Sequence, residues 1–396
     1  MAKRTRASGT LREAVIAGVY QTAQGRLLDR GLTDLYFEAV KGAMDDAGVS
    51  IKEVDGMVGG NPLLTDRDGL GGSPAAAFTE HFNTRMRYSE QVRTGTQSEA
   101  LGLLHAMDAV ALGRAHTVIV PMAAGRQFGS GEGRDTGQQI THDEWLGPFG
   151  LPRVALHGMI ARRHMHEYGT TSEQLARVAV IARKHAVLNP AAVMHSRGPL
   201  TVEDVLNSRR VYDPLHLLDC CLVSEGAAAV LVTTAERARD MKHASIRVLG
   251  YAESFDTMEP YGLPSLTTSG ATWTGKETFA MAGVSHSDID VAQISDHFTI
   301  GVIIELEDLG FCGKGEGGPF VESGAVELGG TMPINTNGGY LSHSHPHGVG
   351  LLDIIELVRQ LRGEAGARQV PNARIGLFHG VGGTFETAQT AILAKD

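Results

Sequence analysis

Apolar positions along the chain fall into short runs whose period changes between glycine-rich stretches. Residues 11–20 carry a run fit for a buried strand, and 54–60, 117–124 and 225–233 read the same way. Leu35, Ala39 and Ala43 recur at helical spacing, which predicts a helix over 32–47. Residues 100–112 have helical spacing and almost no charge, so this helix is buried on most sides. Amphipathic helices are expected over 151–168 and 172–188, the second starting at Ser172 and Glu173. A further helix is expected over 351–361. Residues 92–97 read as a short strand and turn. Residues 63–87 show no clear period, 125–145 are polar and glycine-rich, and both read as loops. Residues 189–213 read as loop with a short helix, and 235–242 as a charged helical linker.

Internal similarity organises these elements. Ala47-Gly48-Val49-Ser50, leading to Val54-Asp55, is echoed by Ala282-Gly283-Val284-Ser285, leading to Ile289-Asp290. Gly102-Leu103-Leu104 is echoed by Gly350-Leu351-Leu352 in the same order. The pattern predicts an α/β fold of two related halves, 1–240 and 241–396, with an insertion of about 125–215 in the first. Thr96 then precedes one buried helix as His345 precedes the other. Under a pseudo-twofold axis the two helix N-termini converge, and their N–H groups and dipoles favour an oxyanion.

Composition narrows the function classes. The net charge of −10 disfavours a nucleic-acid surface, because phosphate binding needs clustered Lys and Arg. Lys3, Arg4 and Arg6 read as a solvated tail. The three cysteines, Cys220, Cys221 and Cys312, form no CxxC pair, which points away from a zinc ribbon and suits a reducing cytoplasm. Neither a signal peptide nor a membrane span is expected. The 50 glycines fit a site built from loops where backbone approaches a ligand.

The candidate chemistry gathers at 335–350, NTNGGYLSHSHPHGVG, where His343, His345 and His347 stand on alternate positions. Such spacing invites a metal reading, since alternate residues of an extended segment share a face. No further ligand group accompanies them, so no metal is expected and His343 and His347 are assigned to substrate binding. His297 beside Asp296 fits a base with an orienting carboxylate, with Ser295 next to them. His379, Gly380 and Gly382 lie in a glycine-rich segment that fits backbone approaching a ligand. Thr96 fits a backbone donor. His157 lies in a predicted amphipathic helix and carries little weight. Residues 314–318, KGEGG, lack P-loop spacing and read as surface loop.

Several ordered motifs together resemble the thiolase superfamily. Ser344-His345-Pro346-His347-Gly348 resembles its GHPxG loop, and Asn335-Thr336-Asn337-Gly338-Gly339 the NxxGG before it. Ser295-Asp296-His297-Phe298 resembles the HDCF or NEAF loop, and 379–383 the C-terminal glycine loop. Within the superfamily the chain is similar to sterol-carrier-protein-type thiolases, thiolase-like lipid-transfer proteins and, through 310–318 and 296–299, thiolase-like acyl-CoA aldolases. The resemblance implies a layered αβαβα fold. Thr96 stands where thiolases carry the nucleophilic cysteine, and none of the three cysteines falls in a family cysteine position. The aldolases usually carry tyrosines at the places of Ser295 and His345. These departures imply aldol or retro-aldol cleavage of a β-hydroxyacyl-CoA, without a covalent acyl-enzyme, through an oxyanion hole and a base. The catalytic set is then His345, His297, Asp296, Ser295, Thr96 and His379. The alternatives are atypical acyl transfer and a non-catalytic acyl-CoA-binding subunit. The resemblance further implies a CoA thioester substrate, no tightly bound cofactor, a homodimer, and a small OB-fold, zinc-ribbon partner that would make a heterotetramer.

Overall fold

The computed structural model describes residues 13–27, 29–59, 74–92, 97–124, 152–257, 262–346 and 349–395. Thr96, His347 and the expected loop 125–145 lie outside these residues.

The described strands are β1 (Ala14–Gln21), β2 (Gly56–Gly59), β3 (Tyr88–Gln91), β4 (Thr117–Ala124), the short β5 (Arg210–Tyr212) and β6 (Leu215–His216), β7 (Gly226–Thr234), β8 (Ile246–Phe255), β9 (Val291–Ile294), β10 (Ile375–Gly382) and β11 (Thr387–Lys395). Nine of them form one mixed sheet in the order β3-β2-β4-β7-β1-β8-β11-β10-β9. Each side of the β1–β8 seam repeats one plan. β2 runs parallel to β4, β4 antiparallel to β7, and β7 antiparallel to β1. In the same way β9 runs parallel to β10, β10 antiparallel to β11, and β11 antiparallel to β8. The seam itself is narrow, pairing only Val15 with Arg247 and Ile16 with Ile246.

The echoed segments share a backbone. Helix α1 (Leu32–Ala47) ends at Gly48 with φ 72°, and the corresponding helix Ala271–Ala282 ends at Gly283 with φ 67°. Each is followed by a capping box closing a single 3₁₀ turn, Ser50 with Glu53 and Ser285 with Asp288. The left-handed glycine ends the helix and the capping box aims the chain into its strand.

Two helices lie at the centre, α2 (Ser98–Ala111) and α3 (Gly350–Arg362), the latter buried along nearly its whole length. Leu101, Leu103 and Leu104 of α2 pack with Leu351, Leu352, Ile354 and Ile355 of α3 and with strands of both sides in one cluster. Burying each such side chain contributes about 1.5–3 kcal/mol. A second cluster lies under α1 and a third under the helices Ser172–Val187, Ala271–Ala282 and Thr299–Asp308. Helices thus sit outside and between the strand sets, a layered α/β arrangement.

At three places the structure adds to the sequence expectations. Residues 74–82 form a helix within the stretch expected to be loop, because Phe78 is buried and Phe82, one turn on, packs against Phe37. Strand β3 (Tyr88–Gln91) lies just before the expected 92–97, of which 93–96 fall outside the described residues; Arg87 and Tyr88 donate to the Asp55 carbonyl where this strand joins β2. The helix Ser172–Val187 starts at Ser172 as expected, and Thr171 just before it supplies the cap, accepting from the Gln174 N–H.

At the core of the fold the N-termini of α2 and α3 nearly touch. A Cβ at Gly350 would lie 2.4 Å from Gln97 Oε1 and 2.6 Å from Ala100 Cβ. Gly350→Ala is therefore expected to lower stability by about 1–3 kcal/mol, overriding the better helix propensity of alanine. Urea unfolding at constant m-value measures it.

Candidate functional site

The site is built where α2 and α3 begin and where three loops arrive. The first is 335–345. Gly338 (φ 108°) and Gly339 (φ 60°) reverse the chain into one wide π-type turn, Gly339–His343. A Cβ at Gly339 would stand 2.1 Å from Asp296 Oδ2, so only glycine fits there. Asp296 is wholly buried and accepts from the backbone N–H of Tyr340 at 2.6 Å and of Leu341 at 3.2 Å. Its carboxylate therefore holds the turn rather than an imidazole. Burial pushes the Asp296 carboxyl up to about 7, although these N–H donors pull it down.

The second loop follows β9. Ser295 is held by its own N–H on the His379 carbonyl at 3.0 Å, and its hydroxyl accepts from Val381 N–H at 3.0 Å. His297 is half-buried, and its carbonyl accepts from Cys221 N–H at 2.9 Å. The third loop brings Ser224, whose hydroxyl accepts from the His345 N–H at 2.8 Å.

Three rings meet as a result. His297 stands edge-on to Tyr340 at 4.8 Å between ring centres and edge-on to His345 at 5.0 Å. Tyr340 and His345 are 5.5 Å apart. Beneath them Gln97, at the start of α2, donates from Nε2 to Ser295 Oγ at 3.2 Å and to the Tyr340 hydroxyl at 3.3 Å. The Tyr340 hydroxyl in turn donates to Asp353 of α3. One amide thus ties the α2 terminus to both loops. Gly380 faces the same place, since a Cβ there would lie 2.8 Å from Gln97 Oε1. Gly382 ends β10 opposite Thr387.

Other predicted residues go elsewhere. His343 is buried and turns to Asn189, 3.0 Å from its Nδ1, and burial lowers it to about 3. His343 is the last residue of the π-type turn and His345 lies beyond it, so the two do not stand on one extended strand. His379 points from β10 into the outer layer. Its Nδ1 meets Thr390 Oγ1 at 2.8 Å, and its Nε2 lies 3.8 Å from the Glu305 carboxylate. Burial lowers His379 to about 3 and raises Glu305 well above the usual carboxylate range. His157 stacks on Phe298 at 4.2 Å and is lowered by burial to about 4. Among the described residues no three His, Cys, Asp or Glu side chains gather in a way that could hold a metal ion.

Two of the three cysteines are poorly suited to nucleophilic attack. Burial pushes the Cys220 and Cys312 thiols up to about 12, far from the thiolate needed for attack. Sequence reasoning missed Tyr340, Gln97 and Asp353. Tyr340 carried a visible signal, being the one aromatic side chain in the 335–350 segment. Gln97 and Asp353 carried none, because nothing in a linear pattern marks which polar residue of a helix's first turn points inward.

Residues 252–395 match the family described as thiolase C-terminal domain-like. A protein named acetyl-CoA acetyltransferase, from Methanothermobacter thermautotrophicus, is 36% identical over 97% of this chain and 100% of its own length. A steroid side-chain-cleaving aldolase from Thermomonospora curvata is 38% identical over 87% of this chain and 90% of its own. A solved structure described as the Ltp2–ChsH2(DUF35) aldolase superposes with a TM-score of 0.86 at 34% identity, covering 98% of this chain and 99% of that one. The chain belongs to the thiolase superfamily, and within it stands with the thiolase-like acyl-CoA aldolases.

The buried histidines contribute to the acid response. His379 is neutral when folded but protonates below about 6.5 when unfolded, so its contribution is present above that pH and lost as pH falls toward about 3. His379→Gln is expected to flatten the fall of stability between pH 6.5 and 4 by up to one proton, about 1.4 kcal/mol per pH unit. Chemical denaturation across that range reads it directly.

Proposed function

We propose that this chain is a thiolase-fold C–C lyase that cleaves a β-hydroxyacyl-CoA by a retro-aldol reaction. The observation that carries the reading is the meeting of His297, His345 and Tyr340 at the two central helix N-termini, with the Cys220 and Cys312 thiols pushed away from the thiolate form. His297, the more exposed imidazole, takes the β-hydroxyl proton. The oxygen's electrons form the new carbonyl, the Cα–Cβ bond breaks, and its electron pair passes into the thioester as an enolate. His345, with backbone N–H groups near Thr96, Gly380 and Gly382, stabilises the enolate oxygen. Protonation at Cα then gives a shorter acyl-CoA and an aldehyde or ketone, with no net redox change.

The wider reading follows from the family. From the resemblance the chain pairs as a homodimer and joins a small OB-fold, zinc-ribbon subunit in a heterotetramer; the Ltp2–ChsH2(DUF35) description of the solved relative supports a second subunit, not these finer features. None of the described helices is long and apolar enough to cross a membrane, and the proposed setting is the cytoplasm. The two halves divide near residue 240, with the 125–215 insertion in the first.

Acyl transfer is the second reading, favoured by the acetyltransferase name of a relative matched over its whole length. Intact-mass measurement after incubation with acyl-CoA separates the covalent form of it: an acyl adduct supports transfer, and an unmodified mass removes the covalent version. For the lyase, His345→Ala is expected to lower kcat/KM for β-hydroxyacyl-CoA cleavage by about 100-fold or more, with unchanged thermal unfolding. Full turnover in that variant sinks the assignment.

A further inference from the structure

Every polar atom of Tyr340 is engaged. Its N–H donates to Asp296 at 2.6 Å, and its carbonyl accepts from Leu222 N–H at 2.9 Å. Its hydroxyl accepts from Gln97 Nε2 at 3.3 Å and donates to Asp353. The residue is 1% exposed, so it is walled off from solvent, yet its ring meets both imidazoles of the site. Asp353 is as deeply buried, and the phenol is its one described hydrogen-bond partner on the side chain. A buried carboxyl group at the start of a central helix costs stability unless it is partnered. The arrangement therefore spends a buried acid on fixing one phenol.

We infer that Tyr340 is a positioning residue: Asp353 and Gln97 lock its phenol so that its ring sets the mutual angle of His297 and His345. This rests on the lyase reading for its catalytic consequence but not for its geometry. The alternative is that Tyr340 merely fills space. The two differ in what the hydroxyl does, because phenylalanine fills nearly the same volume without the anchor. They also differ from a charge-based role. Asparagine at 353 keeps an oxygen that accepts from the phenol and removes the ionisable group, whereas alanine removes both.

The test uses the full chain, with whatever partner co-purifies, and four variants: Tyr340→Phe, Asp353→Ala, Asp353→Asn and the double Tyr340→Phe/Asp353→Ala. Positioning predicts that Tyr340→Phe and Asp353→Ala each lower kcat about 10–100-fold with KM within about twofold, since a displacement of an ångström in a reacting group costs this much. The double variant falls no further than either single, and Asp353→Asn keeps most of the activity. A readout independent of turnover is the imidazole ¹H–¹⁵N spectrum of the ligand-free protein. There Tyr340→Phe and Asp353→Ala move the His297 and His345 resonances alike, while Asp353→Asn leaves them near those of wild type. Wild-type kcat and resonances in Tyr340→Phe overturn the inference, as does an Asp353→Asn variant as impaired as Asp353→Ala. If Asp353→Ala fails to fold, Tyr340→Phe and Asp353→Asn still decide it. If wild type cleaves no β-hydroxyacyl-CoA, the lyase reading falls, and the imidazole spectra alone decide the role of Tyr340.

Discussion

The approach of two helix N-termini is the constraint on which this molecule depends. Glycine at 350 lets α3 come within reach of Gln97 and Ala100, and Gln97 then touches both loops of the site. Helix starts carry unsatisfied N–H groups and the positive end of a dipole. Bringing two together concentrates this potential at one place. The strand plan serves that convergence: the matching sets on either side of the β1–β8 seam each feed one central helix.

The electrostatics around the site follow from burial more than from pairing. Asp296, Glu305 and Asp353 are each raised by desolvation, and the latter two also feel neighbouring carboxylates. Glu99, in the first turn of α2, is pushed to about 8 in the same way. His343 and His379 move in the opposite sense, toward neutrality, as do His157 and His185 at about 4. The interior therefore prefers uncharged forms of both acids and bases. Against that background His297 is the less buried of the two imidazoles at the ring cluster.

Much of the fold was legible because burial imposes periodicity. The helix over 32–47 and the strand over 117–124 coincide with their observed limits, since each has an uninterrupted apolar face or run. The internal echo at 47–55 and 282–290 marked equivalent turns because a left-handed glycine and a serine cap leave residue-specific traces. The helix at 74–82 escaped because its apolar stripe spans little more than Phe78 and Phe82. At the site His345 and His297 were legible as motif residues. The job of Asp296 was not, because a carboxylate beside a histidine gives no hint that a distant glycine turn claims it. His379 shows the same limit from the other side: a strand's alternation decides which face a side chain takes, and its neighbour Gly380, not His379, faces the central helices.

The narrow β1–β8 seam bears on how the molecule comes into being. The strands β1 to β4 and β7 can pair before the second set has been synthesised, but α2 cannot bury its far side until α3 emerges near the end of the chain. During synthesis the leucine-rich face of α2 thus waits uncovered, a surface that invites chaperone capture or association with another nascent chain. The same closeness of the two helices that makes the site makes the half-built protein vulnerable.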